Sequence, residues 1–231
     1  MRTTTRLKLA YTALAATDTA LAGSARPWAH RARFMTKPLL LSVLGAALAA
    51  DPRAACSPLR TSTLAAQAGG WGGDVLLLGR GDRAFAAGAT SFGVGHLAYV
   101  AGFRRARDRR TPLRAGRVAR GFAATWAVSG PVVAAAAARQ DRRLGATVLG
   151  YSALLSGMAA AASHLDPALP RDARVLSAAG GALFVASDAV LGVRTFLLPD
   201  PPARLESVVM ATYTGAQLLL AEGAARAGRR S

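Results

Sequence analysis

The charged residues of this chain fall in short clusters, and the stretches between the clusters are long enough to cross a bilayer. Residues 84–103, 121–138 and 144–165 contain no Asp, Glu, Lys or Arg, and three further stretches of similar length are interrupted by one acid each. A helix needs roughly 17 to 25 mostly apolar residues to traverse about 30 Å of hydrocarbon. This pattern decides between two classes that a formal charge of +17 in 231 residues leaves open: a basic nucleic-acid binder, or a membrane protein whose basic residues lie in its loops. No zinc finger, RNP motif or base-reading basic helix occurs in the chain. The sequence therefore reads as an all-α polytopic membrane protein, a single integral membrane domain over 1–231 with no nucleic-acid partner.

Eight transmembrane helices are expected, at about 8–25, 34–50, 59–79, 84–103, 118–138, 144–165, 173–193 and 203–224, with breakers such as "ADPRAACSP", "RTPLRAG" and "LPDPPARL" between them. The first stretch follows Arg2, Arg6 and Lys8 as a signal peptide would, but Asp18 interrupts it and seven more spans follow, so it is read as a retained helix. The second holds only Pro38 to Ala50 free of charge, and spans if Lys37 snorkels toward the headgroups. Eight spans put both termini on one side. That side collects 18 of the 29 Lys and Arg residues and the other side 11, which predicts a cell-membrane protein with cytoplasmic termini. The lone Cys56 has no partner for an intrachain disulfide or a metal site.

An ionised carboxylate at the centre of a spanning helix costs about 2.5 to 3.5 kcal/mol on insertion scales, so intramembrane acids are candidate functional groups. Asp74 and Asp188 each lie six residues before an arginine, Arg80 and Arg194. At 1.5 Å per residue both carboxyls sit roughly 9 Å below the same non-cytoplasmic boundary. Two carboxyls at one depth in a poorly hydrated site are expected to share a proton, one serving as general acid and the other as general base. Lys37 starts its helix from the same face, and can pair with either acid; Asp18 approaches that level from the opposite direction. Glu222 falls near the cytoplasmic end. His96, Tyr99, Tyr213 and Gln217 are the remaining polar candidates, and Gly69, Gly70, Gly72 and Gly73 leave room beside Asp74 for a thin acyl chain. A faint echo links "GDVLLLG" and "FGVGHL" in the third and fourth spans to "SDAVLG" and "YTGAQL" in the seventh and eighth. Copies four helices apart run in the same direction, which suggests a 4+4 parallel internal repeat.

The ordered set "TKPLL" (36–40), "GDVLLL" (73–78), "FAAGATSFGVGHLAYV" (85–100), "SDAVLG" (187–192) and "YTGAQLLLAEG" (213–223) resembles the YhhN family of lysoplasmalogenases. The resemblance implies Asp74 and Asp188 as the catalytic pair, with Lys37, His96, Tyr99, Tyr213 and Gln217 in substrate-binding or supporting roles. It also implies hydrolysis of the vinyl ether bond of a lysophospholipid, giving a fatty aldehyde and glycerophospho-ethanolamine or -choline. Neither a metal nor an organic cofactor is implied. Thr212 departs from the family pattern, in which a second aromatic often precedes Tyr213, and the fifth and sixth spans carry nothing diagnostic. Paired intramembrane acids, glycine-rich helices and a repeat also describe a small proton-coupled transporter or exporter, while a non-catalytic lipid-binding protein would retain lysolipid without turning it over.

Overall fold

In a computed structural model, which describes residues 3–79 and 81–228, the chain forms eight α-helices. They are α1 (Thr3–Ala22), α2 (Pro27–Ala49), α3 (Arg60–Leu76), α4 (Asp82–Arg105), α5 (Arg117–Ala138), α6 (Arg142–Ala162), α7 (Arg171–Gly192) and α8 (Arg204–Arg226). The expected boundary at Arg80, like the basic residues Arg2, Arg229 and Arg230, lies outside the described residues.

Among the described residues four helices, not eight, are long and apolar enough by composition to cross a membrane: Pro27–Ala49, Arg117–Ala138, Arg142–Ala162 and α7 with its continuation, Arg171–Leu197. The other four fall short for a physical reason. α3 has only 17 residues, and α1, α3, α4 and α8 place their polar side chains inward, as Asp18, Gln67, Asp74, His96, Thr214 and Gln217 all do. The exterior is correspondingly apolar: Met35 is 71% and Val128 74% exposed while Asp18 is fully buried. Polar groups inside and large aliphatic groups outside are the distribution expected of a protein solvated by lipid.

The helices pack mainly as sequential antiparallel pairs, α1 with α2, α3 with α4, α5 with α6 and α7 with α8. α4 also packs on α6, and α8 reaches α1, α2 and α3. The α3/α4 pair approaches closely because glycines face each other: a Cβ on Gly69 would stand 2.7 Å from Gly95 N. Leu40, Leu41, Leu44, Phe92, Phe184, Met210 and Leu220 belong to the main core, and a satellite cluster around Ala134, Ala137, Leu144 and Val148 joins α5 to α6.

α2 begins seven residues earlier than expected, at Pro27, whose fixed φ suits the first turn of a helix. The extension carries Arg31 and Arg33 inside the helix, and Arg33 and Lys37 are both buried. Lys37 therefore does not snorkel outward. It turns inward onto a carboxylate, described below. α7 ends in a π-turn, Val193–Leu197, rather than stopping at 193.

One end of the bundle gathers the start of α1, the α2–α3 connection and the end of α8. There Lys8 bridges Asp51 (3.0 Å) and Glu222, and Arg53 bridges the same two acids at 2.6 and 3.3 Å. Both ends of the described chain thus lie at one end of the bundle, and Glu222 lies there, far from the other intramembrane acids.

Candidate active site

The opposite end opens into a cavity of about 710 Å³. Every connecting-loop residue that lines it, including Ser24, Gly79, Gly81, Gln140, Thr195 and Ala203, belongs to the α1–α2, α3–α4, α5–α6 or α7–α8 connection. Asp74 and Asp188, from α3 and α7, both line it, together with Lys37, Tyr151 and Tyr213. Its apolar wall includes Phe92, Phe184 and Tyr213, whose rings meet edge to face with centroids 5.5 to 6.4 Å apart. Gly73 makes room for this cluster, since a Cβ there would stand 2.3 Å from the Phe92 ring.

The two carboxyls have different surroundings. Asp74 is buried, its Oδ2 accepting from the Tyr213 hydroxyl at 2.8 Å and its Oδ1 lying 3.5 Å from Lys37 Nζ. The sequence leaves the partner of Lys37 open between the two acids; the fold selects Asp74. Asp188 is half-buried, and its Oδ2 accepts from the Tyr151 hydroxyl on α6. Among the described residues no cation pairs with Asp188, and no hydrogen bond joins the two carboxyls. Each acid is held by its own phenol, one with a lysine beside it and one without.

His96 Nε2 lies 3.1 Å from the Tyr151 oxygen. With Tyr151 donating to Asp188, the imidazole must donate to Tyr151, which places its proton on Nε2 and leaves the buried, unpartnered Nδ1 bare. Tyr99 donates to Gln217 Oε1 at 3.0 Å. Of the seven residues singled out in the sequence, Lys37, Asp74, Asp188 and Tyr213 line one cavity, while His96, Tyr99 and Gln217 stand behind its wall. Asp18 does not join the pair. It accepts from Thr36 at 2.6 Å and from Arg33 Nε at 3.3 Å, one helical turn nearer the loops than Lys37.

Tyr151, on α6, is not among the candidates that the sequence singles out. Its only sequence signal is an aromatic residue among small ones in "LGYSALLSG". Arg33, too, reads in the sequence only as a loop charge.

The model of the YhhN family matches residues 32–224, most of the chain. The chain belongs to the YhhN family. This is the lysoplasmalogenase family. The part of this YhhN chain that matches contains every cavity carboxylate and phenol named above and leaves out α1, with Tyr11 and Asp18. No curated protein and no solved structure matches the chain.

Proposed function

We propose that this YhhN protein hydrolyses the vinyl ether bond of a lysoplasmalogen or a related ether lysolipid, with Asp188 and Asp74 as its two acid–base groups. The observation that carries the reading is one amphipathic cavity lined by both carboxyls, apolar in its walls and open at one end of the bundle. A single-chain lipid can lay its tail against Phe92 and Phe184 while water reaches the carboxyls from the loop end.

The unequal surroundings support a division of roles. The Lys37 ammonium compensates a negative Asp74, whereas Asp188 faces a phenol and no cation, and so is the carboxyl that carries the proton. Asp188 transfers that proton to the outer alkene carbon of the vinyl ether, and the electron pair of the double bond forms the new C–H bond. The adjacent carbon and ether oxygen become an oxocarbenium ion, which the carboxylate of Asp74 stabilises as paired carboxyls do in glycosidases. Water adds to that carbon and gives a proton to Asp74. In the collapse of the hemiacetal Asp74 gives its proton to the glycerol oxygen as the carbon–oxygen bond breaks, and the hemiacetal hydroxyl gives its proton to Asp188, which releases a fatty aldehyde and the glycerophospho-alcohol and restores both acids. Within this scheme Tyr213 and Tyr151 hold the carboxyls in place.

The same reading sets the protein in a cell membrane with all eight helices crossing it, both termini cytoplasmic and the cavity mouth on the other side. The excess of basic residues on the terminal side supports this orientation. The two four-helix halves are read as a parallel repeat, supported by the matching positions of Asp74 and Asp188 on α3 and α7 and by glycine-mediated pairing in both α3/α4 and α7/α8.

The test is aldehyde release by purified protein in detergent, followed by mass spectrometry, for wild type, Asp74→Asn and Asp188→Asn. The expected loss is about 10² to 10⁴-fold in each variant, with melting behaviour still that of a folded protein. Near wild-type release by either variant refutes the assignment. Turnover in detergent, where no gradient exists, also separates hydrolysis from coupled transport.

A further inference from the structure

At the mouth of the cavity, α2, α8 and the π-turn after α7 bring two guanidiniums onto one carboxylate. Glu206 Oε1 accepts from Arg33 Nη1 at 3.1 Å, and Glu206 Oε2 lies 3.2 Å from Arg194 Nη1. All three residues line the cavity. Each guanidinium is bound to Glu206 through one nitrogen only, and donors are left over. Arg194 Nε is buried without a hydrogen-bond partner, whereas Arg33 is already taken up by Asp18 as well, its Nε donating to that carboxylate and its Nη2 lying 3.3 Å from Asp18 Oδ2. Arg33 as a whole is 8% exposed. A buried guanidinium donor with no acceptor is costly, and the one on Arg194 at the cavity mouth marks a place for a further anion.

The arrangement also says which anion. Glu206 shows that the two guanidiniums can hold one oxyanion between them, and arginine binds phosphate through several nitrogens where lysine offers a point charge. Arg194 is the less committed of the two, because Arg33 also holds Asp18 through Nε. Lys37 is engaged with Asp74 one turn deeper. The π-turn that carries Arg194 belongs to a class of irregularity that recurs at functional sites.

We propose that Arg194, supported by Arg33, forms the subsite for the phosphodiester of a single-chain phospholipid whose tail and ether linkage occupy the cavity below. This rests on the lysolipid reading given above. Arg194 lies six residues beyond Asp188, about 9 Å along a regular helix. In such a lipid the phosphorus is five bonds from the ether oxygen, so a phosphate held at the mouth sets the linkage at the level of the carboxyls.

The experiment compares two saturated ethers of equal chain length, 1-O-alkyl-glycerophosphoethanolamine and 1-O-alkylglycerol. Neither has the alkene that acid attacks, so binding is measured without turnover. Equilibrium binding in detergent to wild type, Arg194→Ala and Arg194→Lys is the readout. Wild type binds the phosphorylated ether about tenfold or more tighter than the alkylglycerol. Arg194→Ala removes most of that preference, and Arg194→Lys, a point charge without the fork, restores only part of it. Binding of alkylglycerol by the variants shows that they are folded. Equal affinity of wild type for the two ethers, or equal weakening of both in Arg194→Ala, would each overturn the subsite. The two readings fail separately. A protein that prefers the phosphorylated ether but releases no aldehyde from a vinyl ether sinks the hydrolase and leaves the subsite, and an active protein without the preference sinks the subsite alone.

Discussion

Tyr151 donates its hydroxyl proton to Asp188 and at the same time lies 3.1 Å from His96 Nε2, so one phenol on α6 connects an acid on α7 to an imidazole on α4. The His96 ring is itself braced edge-on by Phe184, with centroids 4.8 Å apart. Because Tyr151 acts through Asp188, Tyr151→Phe should keep the cavity's shape and lose the orientation of the acid. On the proposed hydrolysis, kcat falls about 10 to 100-fold, as the loss of one hydrogen bond to a charged or charging group predicts, while KM for the lysolipid stays near wild type. Steady-state aldehyde release checks this, and a rise in KM with unchanged kcat would assign Tyr151 to binding instead.

The Lys37–Asp74 pair makes a stability prediction that is independent of turnover. Removing one partner of a buried ion pair leaves an uncompensated charge, which typically costs about 3 to 5 kcal/mol. Lys37→Met should therefore lower the melting temperature in detergent sharply. Adding Asp74→Asn to it should recover much of the loss, since a neutral pair replaces a stranded carboxylate. A double variant no more stable than Lys37→Met would show that Lys37 acts through something other than Asp74.

The positions of the helices are legible in the sequence because charge is confined to their ends: α5, expected at 118–138, occupies Arg117–Ala138, and α4, expected at 84–103, occupies Asp82–Arg105. Depth is legible too, because helical rise is a one-dimensional quantity, and Asp74 and Asp188 do line one cavity. Direction around the helix is not. Whether Lys37 faces Asp74 or Asp188, and whether the carboxyls touch, depends on how α2, α3 and α7 pack, and no spacing along the chain encodes that. Arg33 reads as a loop charge because its partners, Asp18 and Glu206, come from α1 and α8. Tyr151 is invisible for the opposite reason: a lone aromatic in an uncharged span looks like packing until the acid opposite it is known. Of the eight helices expected and found, four of those described are apolar enough by composition to span, because helices that surround a polar interior need only one apolar face.

Close approach of α3 and α4 depends on glycine at particular places. A Cβ on Gly69 would lie 2.7 Å from Gly95 N and 2.8 Å from its Cα, and one on Gly95 would lie 2.7 Å from Ala66 O. These neighbours are backbone and cannot swing aside. Gly69→Ala or Gly95→Ala should destabilise the fold by about 1 to 3 kcal/mol through overpacking. Gly150 and Gly157 on α6 have open space where a methyl group would stand, with nothing within 4 Å. Alanine there should be neutral or stabilising by up to about 1 kcal/mol, as helix propensity favours. Melting temperatures of the four variants separate a packing requirement at the α3/α4 contact from a general intolerance of added methyl groups.

Acid should weaken the terminal end of the bundle through Asp51. Burial of this side chain favours its neutral form, but hydrogen bonds from Arg53 and from Lys8 outweigh that and hold the carboxyl well below the usual carboxylate range. Arg53 Nη2 donates to it at 2.6 Å and Lys8 Nζ at 3.0 Å, and the Arg53 backbone N–H caps onto Oδ1 at 3.0 Å. A carboxyl whose folded value is depressed contributes stability that is fully present above its unfolded value, about 3.9, and is lost as pH falls from there toward the folded value. Asp51→Asn should therefore melt lower than wild type at neutral pH, and the gap should close progressively below about pH 4. Thermal denaturation in detergent across that range is the measurement, and a gap that stays constant from neutral to acid would mean that the Asp51 charge contributes nothing to holding α1, the α2–α3 connection and α8 together.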